Sequence, residues 1–140
     1  MPAKQSVFRM TLHSNPKQVS RVEGFLNRIN RIAHLDEIQF HKLMVSLTEA
    51  VNNAIIHGNK SNEAKRVKIT CELMPGRLVM LVHDEGKGFK PNKVRSPLKD
   101  KNLLLESGRG IFLMRTLMDK VVFEFSRTGS EVQLWLDLKK

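Results

Sequence analysis

Three observations predict an α+β two-layer sandwich, with a mostly antiparallel, mixed sheet and its helices on one face. Apolar residues recur every three or four positions as far as His57. From residue 66 they recur every two. The strands marked in this way form two hairpins with few crossover units, so the pattern is not that of a doubly wound parallel sheet.

The elements follow in chain order. Residues 1–16 close on Ser14-Asn15-Pro16, a helix-start signal with proline near the first turn. Val19, Val22, Leu26, Ile29 and Ala33 then mark an amphipathic helix over about 17–33. Asp36 is placed to cap a second helix. The apolar stripe of that helix is Phe40, Leu43, Leu47, Val51, Ala54 and Ile55, and it should end near His57-Gly58-Asn59. Val67, Ile69, Cys71 and Leu73 alternate with polar residues as a strand. After the Pro75-Gly76 turn, the apolar run Leu78–Val82 reads as a more central strand. Residues 83–108 are polar and carry Gly86, Gly88, Pro91 and Pro97, which predicts a long loop; loops of that length are usually functional or mobile. A helix over about 110–119 follows, with Ile111, Met114, Leu117 and Met118 inward. Val121–Phe125 and the alternating Val132, Leu134, Leu136 and Leu138 make the last hairpin. The expected order is ααββ–loop–αββ.

A length of 140 residues fits one domain with a single core. The one cysteine, Cys71, excludes an internal disulfide framework and a cysteine-based zinc cluster. Its inward register makes it a core residue, and the seven methionines read as core filling. No apolar run approaches the about 20 residues of a membrane span. Met1–Ser14 lacks a secretory apolar region. A soluble cytoplasmic protein is the expectation. Lysine and arginine number 24 against 14 acidic residues, a net charge of +10. That charge suits nucleic acid, an acidic partner or a polyphosphate ligand, and alone does not choose among them.

Four constellations carry candidate chemistry. Glu49 and Asn53 are four residues apart and project from one side of the second helix. Together they could position a hydroxyl and hold Mg²⁺, which takes oxygen ligands and completes its shell with waters and phosphates. Such a pair is also common on a solvated helix face. Asp84-Glu85-Gly86-Lys87-Gly88 sets a carboxylate at the end of a buried strand. Its oxygens could accept from an exocyclic amine while the glycines admit a flat ring, although a tight glycine turn would look the same. Ser107-Gly108-Arg109-Gly110 opens the expected third helix, where free backbone N–H groups suit phosphates. It is neither a P-loop nor a dinucleotide fingerprint. Finally, the loop carries six basic residues (Lys87, Lys90, Lys93, Arg95, Lys99, Lys101) against one acidic residue, Asp100. It reads as a positively charged lid or as a solvated charged loop. Trp135 lies out of phase with its strand's apolar register and marks either a partner surface or one exposed aromatic.

Taken together, these stretches resemble the GHKL ATP-binding superfamily, which has the Bergerat fold. Glu49-Ala50-Val51-Asn52-Asn53-Ala54-Ile55-Ile56-His57-Gly58 resembles its N-box. Asp84-Glu85-Gly86-Lys87-Gly88-Phe89 resembles its first glycine box and Gly108-Arg109-Gly110-Ile111-Phe112-Leu113-Met114 its second. Order and spacing match over roughly 20–138. Within the superfamily, the stand-alone size and the Asn-Ala-Ile-Ile-His-Gly run are most similar to bacterial anti-sigma-factor serine-protein kinases. The resemblance implies a single histidine-kinase-like ATPase domain over 1–140 with an ATP lid. It implies Glu49 as the general base for a substrate serine, Asn53 as the Mg²⁺ ligand and Asp84 as acceptor for the adenine amino group. It implies that Gly86 and Gly88 shape the adenine pocket and that Gly108 and Gly110 offer N–H groups to phosphates. Ser130 stands where the family has threonine and could support the adenine contact through water. Glu106 stands where close relatives place a basic residue, which leaves Arg109 or a lid lysine to steady the γ-phosphate. Phosphoryl transfer depends mainly on positioning and charge stabilisation, so a sparse set suffices.

The implied function is a Mg²⁺-ATP-dependent serine-protein kinase and anti-sigma regulatory factor. It would phosphorylate an anti-anti-sigma antagonist and sequester a sigma factor, with no direct nucleic-acid or membrane contact and a homodimer as family precedent. The alternative is a nucleotide-binding regulatory protein that sequesters a protein without phosphorylating it. A basic nucleic-acid-binding domain is a third reading, opposed by an aromatic content of only 6%, too little for a stacking platform.

Overall fold

The structure is a computed structural model and describes residues 5–86 and 101–138, with side chains throughout except at 101–107. The expected lid, with Gly88 and the basic residues Lys87 to Lys99, lies outside the described residues, as do the side chains of Lys101, Glu106 and Ser107.

The chain runs β1 (Ser6–His13), a 3₁₀ turn (Pro16–Ser20), α1 (Arg21–Ala33), α2 (Glu37–Asn53), a π turn (Ala54–Gly58), β2 (Arg66–Met74) and β3 (Arg77–Asp84). It continues with α3 (Lys101–Leu117), β4 (Lys120–Ser126) and β5 (Gly129–Asp137). The strands form one sheet in the order β1-β2-β3-β5-β4, and every pairing is antiparallel. This is the α+β layered fold that the sequence predicts.

Three expectations are corrected. Residues 6–13 form an edge strand, paired along its whole length with β2 from Ser6↔Leu73 to His13↔Arg66. Its alternation of Phe8, Met10 and Leu12 with exposed residues is the period of a half-buried strand. The helix expected from residue 17 begins as a 3₁₀ turn, with Pro16 first and Asn15 accepting from the Lys17 N–H at 2.9 Å; the α-helix starts at Arg21. The third helix starts at Lys101, about nine residues before the expected 110. Lysine, leucine and glutamate in Lys101–Glu106 are strong helix formers, and their preference outweighs the glycines that follow.

Local chemistry explains the remaining boundaries. Asp36 closes a full capping box on α2: its Oδ1 accepts from Gln39 N at 2.7 Å, and Gln39 Oε1 accepts from Asp36 N at 3.2 Å. Gly76 takes φ 78° at the tip of the β2–β3 hairpin, a conformation open to glycine at no steric cost.

One sheet face carries Leu12, Ile69, Cys71, Met80 and Leu134, fully buried against Leu26, Ile29, Leu43, Leu47 and Met114 of the helices. Burial pushes the Cys71 thiol up to about 12, with nearby Glu72 adding to the shift. On the opposite face, Trp135 is half-buried between Arg77 and Lys120, each 5.0 Å from its ring centre, and its Nε1 donates to Gln133 Oε1 at 3.0 Å. Among the described residues, no helix is long and apolar enough to cross a membrane.

Candidate functional site

The described candidates gather around two points joined by α2 and its π turn. At the first, Glu49 and Asn53 lie half-buried on α2, which packs against α3. The contact is close because Gly110 is buried there without a side chain. A methyl at Gly110 would lie 3.0 Å from Glu49 Oε1 and 3.4 Å from Asn53 Nδ2. Gly110 thus lets the α3 backbone lie directly against both polar side chains. Gly108 is half-buried with open space on its side-chain side, and Arg109 is exposed.

Gly108 and Gly110 sit inside α3 rather than at its start. In a continuous helix their N–H groups bond carbonyls one turn earlier, and the free N–H groups belong to the first turn at Lys101. Gly108 therefore does not stand at a helix N-terminus. What Gly110 provides in this structure is close backbone approach.

At the second point, the Asp84 carboxylate ends β3 and is 6% exposed. A carboxylate so buried needs hydrogen-bond donors. Among the described residues it has two: the Gly86 N–H donates to Oδ1 at 2.9 Å, and the Ser130 Oγ–H donates to Oδ2 at 2.7 Å. Ser130 reaches it because β5 pairs with β3 in the register Asp84↔Ser130. Each oxygen keeps acceptor capacity for a further donor.

Backbone presses on this carboxylate. A methyl at Gly58 would lie 2.4 Å from Asp84 Cγ, and one at Gly86 would lie 2.1 Å from the Gly58 carbonyl oxygen. Only glycine lets these segments approach so closely. Gly58 reaches Asp84 because α2 does not end as an α-helix. Residues 54–58 widen into a π turn in which Asn59 N–H bonds the Ala54 carbonyl at 2.8 Å, five residues back. Such turns recur at functional sites.

In the sequence, Gly58 marks the helix end and closes the stretch that resembles the N-box. Its contact with Asp84 is made across the fold, and no local pattern signals it. Asn59 was likewise read only as part of the helix end. It is 1% exposed and bonds three separate strand ends. Its side-chain partners lie on three other segments, and no local pattern in the sequence singles it out.

With the geometry in place, comparison with known proteins gives the class. The chain belongs to the histidine kinase-like ATPase domain family, whose profile matches residues 12–136. Among curated relatives it is similar to a protein named serine-protein kinase RsbW from Staphylococcus epidermidis. The two are 29% identical over 151 aligned positions, spanning 100% of this chain and 92% of that one. It is also similar to an anti-sigma F factor from Clostridium botulinum, 38% identical over 103 positions that span 71% of each chain. Its fold resembles the crystal structure of the RsbU and RsbW domains of a Mycobacterium tuberculosis protein. The TM-score is 0.69 over 94% of this chain at 15% identity, and this chain covers 32% of that one.

Proposed function

We propose that this chain is a Mg²⁺-ATP-dependent serine-protein kinase and anti-sigma regulatory factor. It phosphorylates an anti-anti-sigma antagonist on serine and sequesters a sigma factor. The observation that carries the reading is the Asp84 cradle: a buried carboxylate oriented by two donors, with spare acceptor capacity and glycine backbone on its flanks. The family match and the names of the curated relatives support it.

The residues fit the nucleotide and its metal. Glu49 and Asn53 offer only oxygen ligands of the kind a hard cation takes, and one protein ligand can suffice for Mg²⁺. Asp84 is the acceptor that an exocyclic amine requires. Gly86 and Gly58 hold it in place, and Ser130 fixes its second oxygen.

Bound Mg²⁺-ATP supplies the phosphoryl group and neutralises charge as it transfers. The chain's own residues position and deprotonate. Asp84 takes an N–H of the adenine amino group. Asn53 offers its amide oxygen to the metal. Glu49 accepts the proton of the substrate serine hydroxyl as its oxygen takes the γ-phosphoryl group and ADP departs. Gly110 sets α3 against both side chains. Arg109 is exposed and free to meet phosphate oxygens. ATP and a sigma-factor partner put the reaction in the cytoplasm.

The test is incubation of the purified protein with γ-labelled ATP, Mg²⁺ and candidate antagonist domains from the same genome, beside Glu49→Ala. Label on an antagonist serine, lost in the variant while ATP still binds, is the expected result. ATP binding with no label on any antagonist would favour a sequestering protein that does not phosphorylate. Absence of ATP binding would overturn the reading.

A further inference from the structure

We infer that Asn59 is a positioning residue for base recognition: it holds the Asp84–Gly86 turn in the geometry that reads the adenine amino group. This rests on the nucleotide-binding reading above and adds the element that makes the site selective.

Every polar atom of the Asn59 side chain is used. Its Oδ1 accepts from the Glu85 N–H at 2.8 Å. Its Nδ2 donates to the Arg66 carbonyl at 3.0 Å and to Ser14 Oγ at 2.7 Å, and Ser14 Oγ–H passes the chain on to the Lys65 carbonyl at 2.8 Å. The backbone donor at Glu85 and the backbone acceptor at Arg66 fix which way the amide faces. One buried side chain thus ties the residue after β1, the start of β2 and the residue after β3.

Glu85 is the residue between Asp84 and Gly86. Its amide is held from one side by Asn59, and its carboxylate accepts from the Arg66 N–H on the other. The Gly86 N–H that orients Asp84 belongs to the next peptide. Letting Glu85 go would free that N–H to move away from Asp84 Oδ1. The carboxylate would then keep only Ser130 as a fixed donor, and its direction toward a base would no longer be set.

The backbone around Asn59 is held in an unusual state. Lys60 and Ser61 adopt φ 53° and 56°, the left-handed region that side chains other than glycine, asparagine and aspartate rarely take. Bonds from Ser61 N to the Ile55 carbonyl at 2.7 Å and from Asn62 N to the Asn59 carbonyl at 3.0 Å keep them there. The π turn and this left-handed pair together deliver Asn59 into the sheet end. Strain of this kind persists where the surrounding structure over-determines it, and it clusters at functional sites.

The test compares ATP with ITP, which carries an oxygen in place of the adenine amino group and so lacks the exocyclic donor that Asp84 would accept. The ratio of the two affinities cancels any loss of folded protein, so a merely structural role would leave it unchanged. Asn59→Leu removes all three bonds while keeping the side chain's shape, and Asn59→Ala removes them with the volume; whichever folds is measured. Ser14→Ala removes only the outer support and leaves the Glu85 bond in place. Expected is a wild-type preference for ATP of about tenfold or more. It should fall to within about threefold in the Asn59 variant and stay near wild type in Ser14→Ala. Asn59→Asp keeps the acceptor for Glu85 and should retain the preference at reduced stability. An Asn59→Leu or Asn59→Ala protein that discriminates as wild type does would overturn the inference. So would a Ser14→Ala protein that loses discrimination equally. If the wild type binds neither nucleotide, the failure lies with the nucleotide-binding reading itself.

Discussion

Replacing Gly58 with alanine tests the Asp84 cradle most directly. The added carbon would lie 2.4 Å from Asp84 Cγ and Oδ2 and 2.8 Å from Oδ1. Ordinary contact begins near 3.4 Å, so the carboxylate must retreat by about 1 Å. The same retreat stretches the 2.7 Å bond from Ser130 and the 2.9 Å bond from Gly86 beyond useful range. A hydrogen bond to a charged group contributes about 1.5–3 kcal/mol. Losing one such bond to the base weakens ATP binding roughly 10- to 150-fold. Gly58 has no positive φ, so alanine brings no backbone strain, and the effect is specific to the carboxylate. The assay is calorimetric or fluorescent-nucleotide titration, with Gly24→Ala as control. Gly24 lies in α1 with nothing near its side-chain position, so alanine there should raise stability by about 0.5–1 kcal/mol and leave affinity unchanged. A folded Gly58→Ala protein that binds ATP within about twofold of wild type would refute the cradle as the adenine floor.

Three further outcomes follow from burial. Burial raises the Glu131 carboxyl above its ordinary 4.5; His83, 3.8 Å away, opposes the shift, and Glu124 and Glu72 add to it. The folded state then holds the proton more tightly than the unfolded chain, so this group's contribution to stability declines as pH rises from 4.5 through the raised value. Glu131→Gln should therefore raise the urea midpoint at about pH 7 and leave it near wild type at about pH 4, and an equal gain at both would contradict the assignment. With its thiol pushed up to about 12, Cys71 should resist thiol reagents in native buffer and react once urea unfolds the chain. Rapid labelling of the folded protein would disprove its burial. Ser46 Oγ is buried on α2 without a hydrogen-bond partner among the described residues, so Ser46→Ala should stabilise by about 1 kcal/mol in urea denaturation. A loss of that size would mean that the hydroxyl has a partner.

The parts of the molecule legible in the sequence are those whose causes are local. Asp36 caps α2 through a residue three positions on, and the alternation in β2 and β3 reports one buried face. β1 carries the same alternation, although the Ser14-Asn15-Pro16 helix start is the one signal read from residues 1–16. The glycines at 108 and 110 suggested a helix start because glycine is a weak helix former. In the structure both lie inside α3, and Gly110 makes room for Glu49 and Asn53 on another helix. Asn59 shows the limit most clearly. Its side-chain partners lie 45, 7 and 26 positions away, so nothing in its neighbourhood announces a hub.

The same distinction explains why one helix can serve both ends of the site. Glu49 and Asn53 project from α2 on one side, at the spacing that brings i and i+4 together. From Glu49 to Gly58 the chain advances about 13 Å at helical rise, which separates the proposed phosphate-transfer end from the proposed base-reading end by a length set in the backbone. A regular α-helix would carry Gly58 onward in fixed rotation. The π turn changes that rotation and turns Gly58 into the Asp84 carboxylate. Asn59, one residue later, then fastens the turn to three strand ends. Under the proposed function, the spacing between base and phosphate contacts is thus held by the helix, and the orientation of the Asp84 carboxylate by the irregular turn at its end. Substitutions along α2 should act mainly on transfer, and substitutions at 58 and 59 mainly on which nucleotide is accepted.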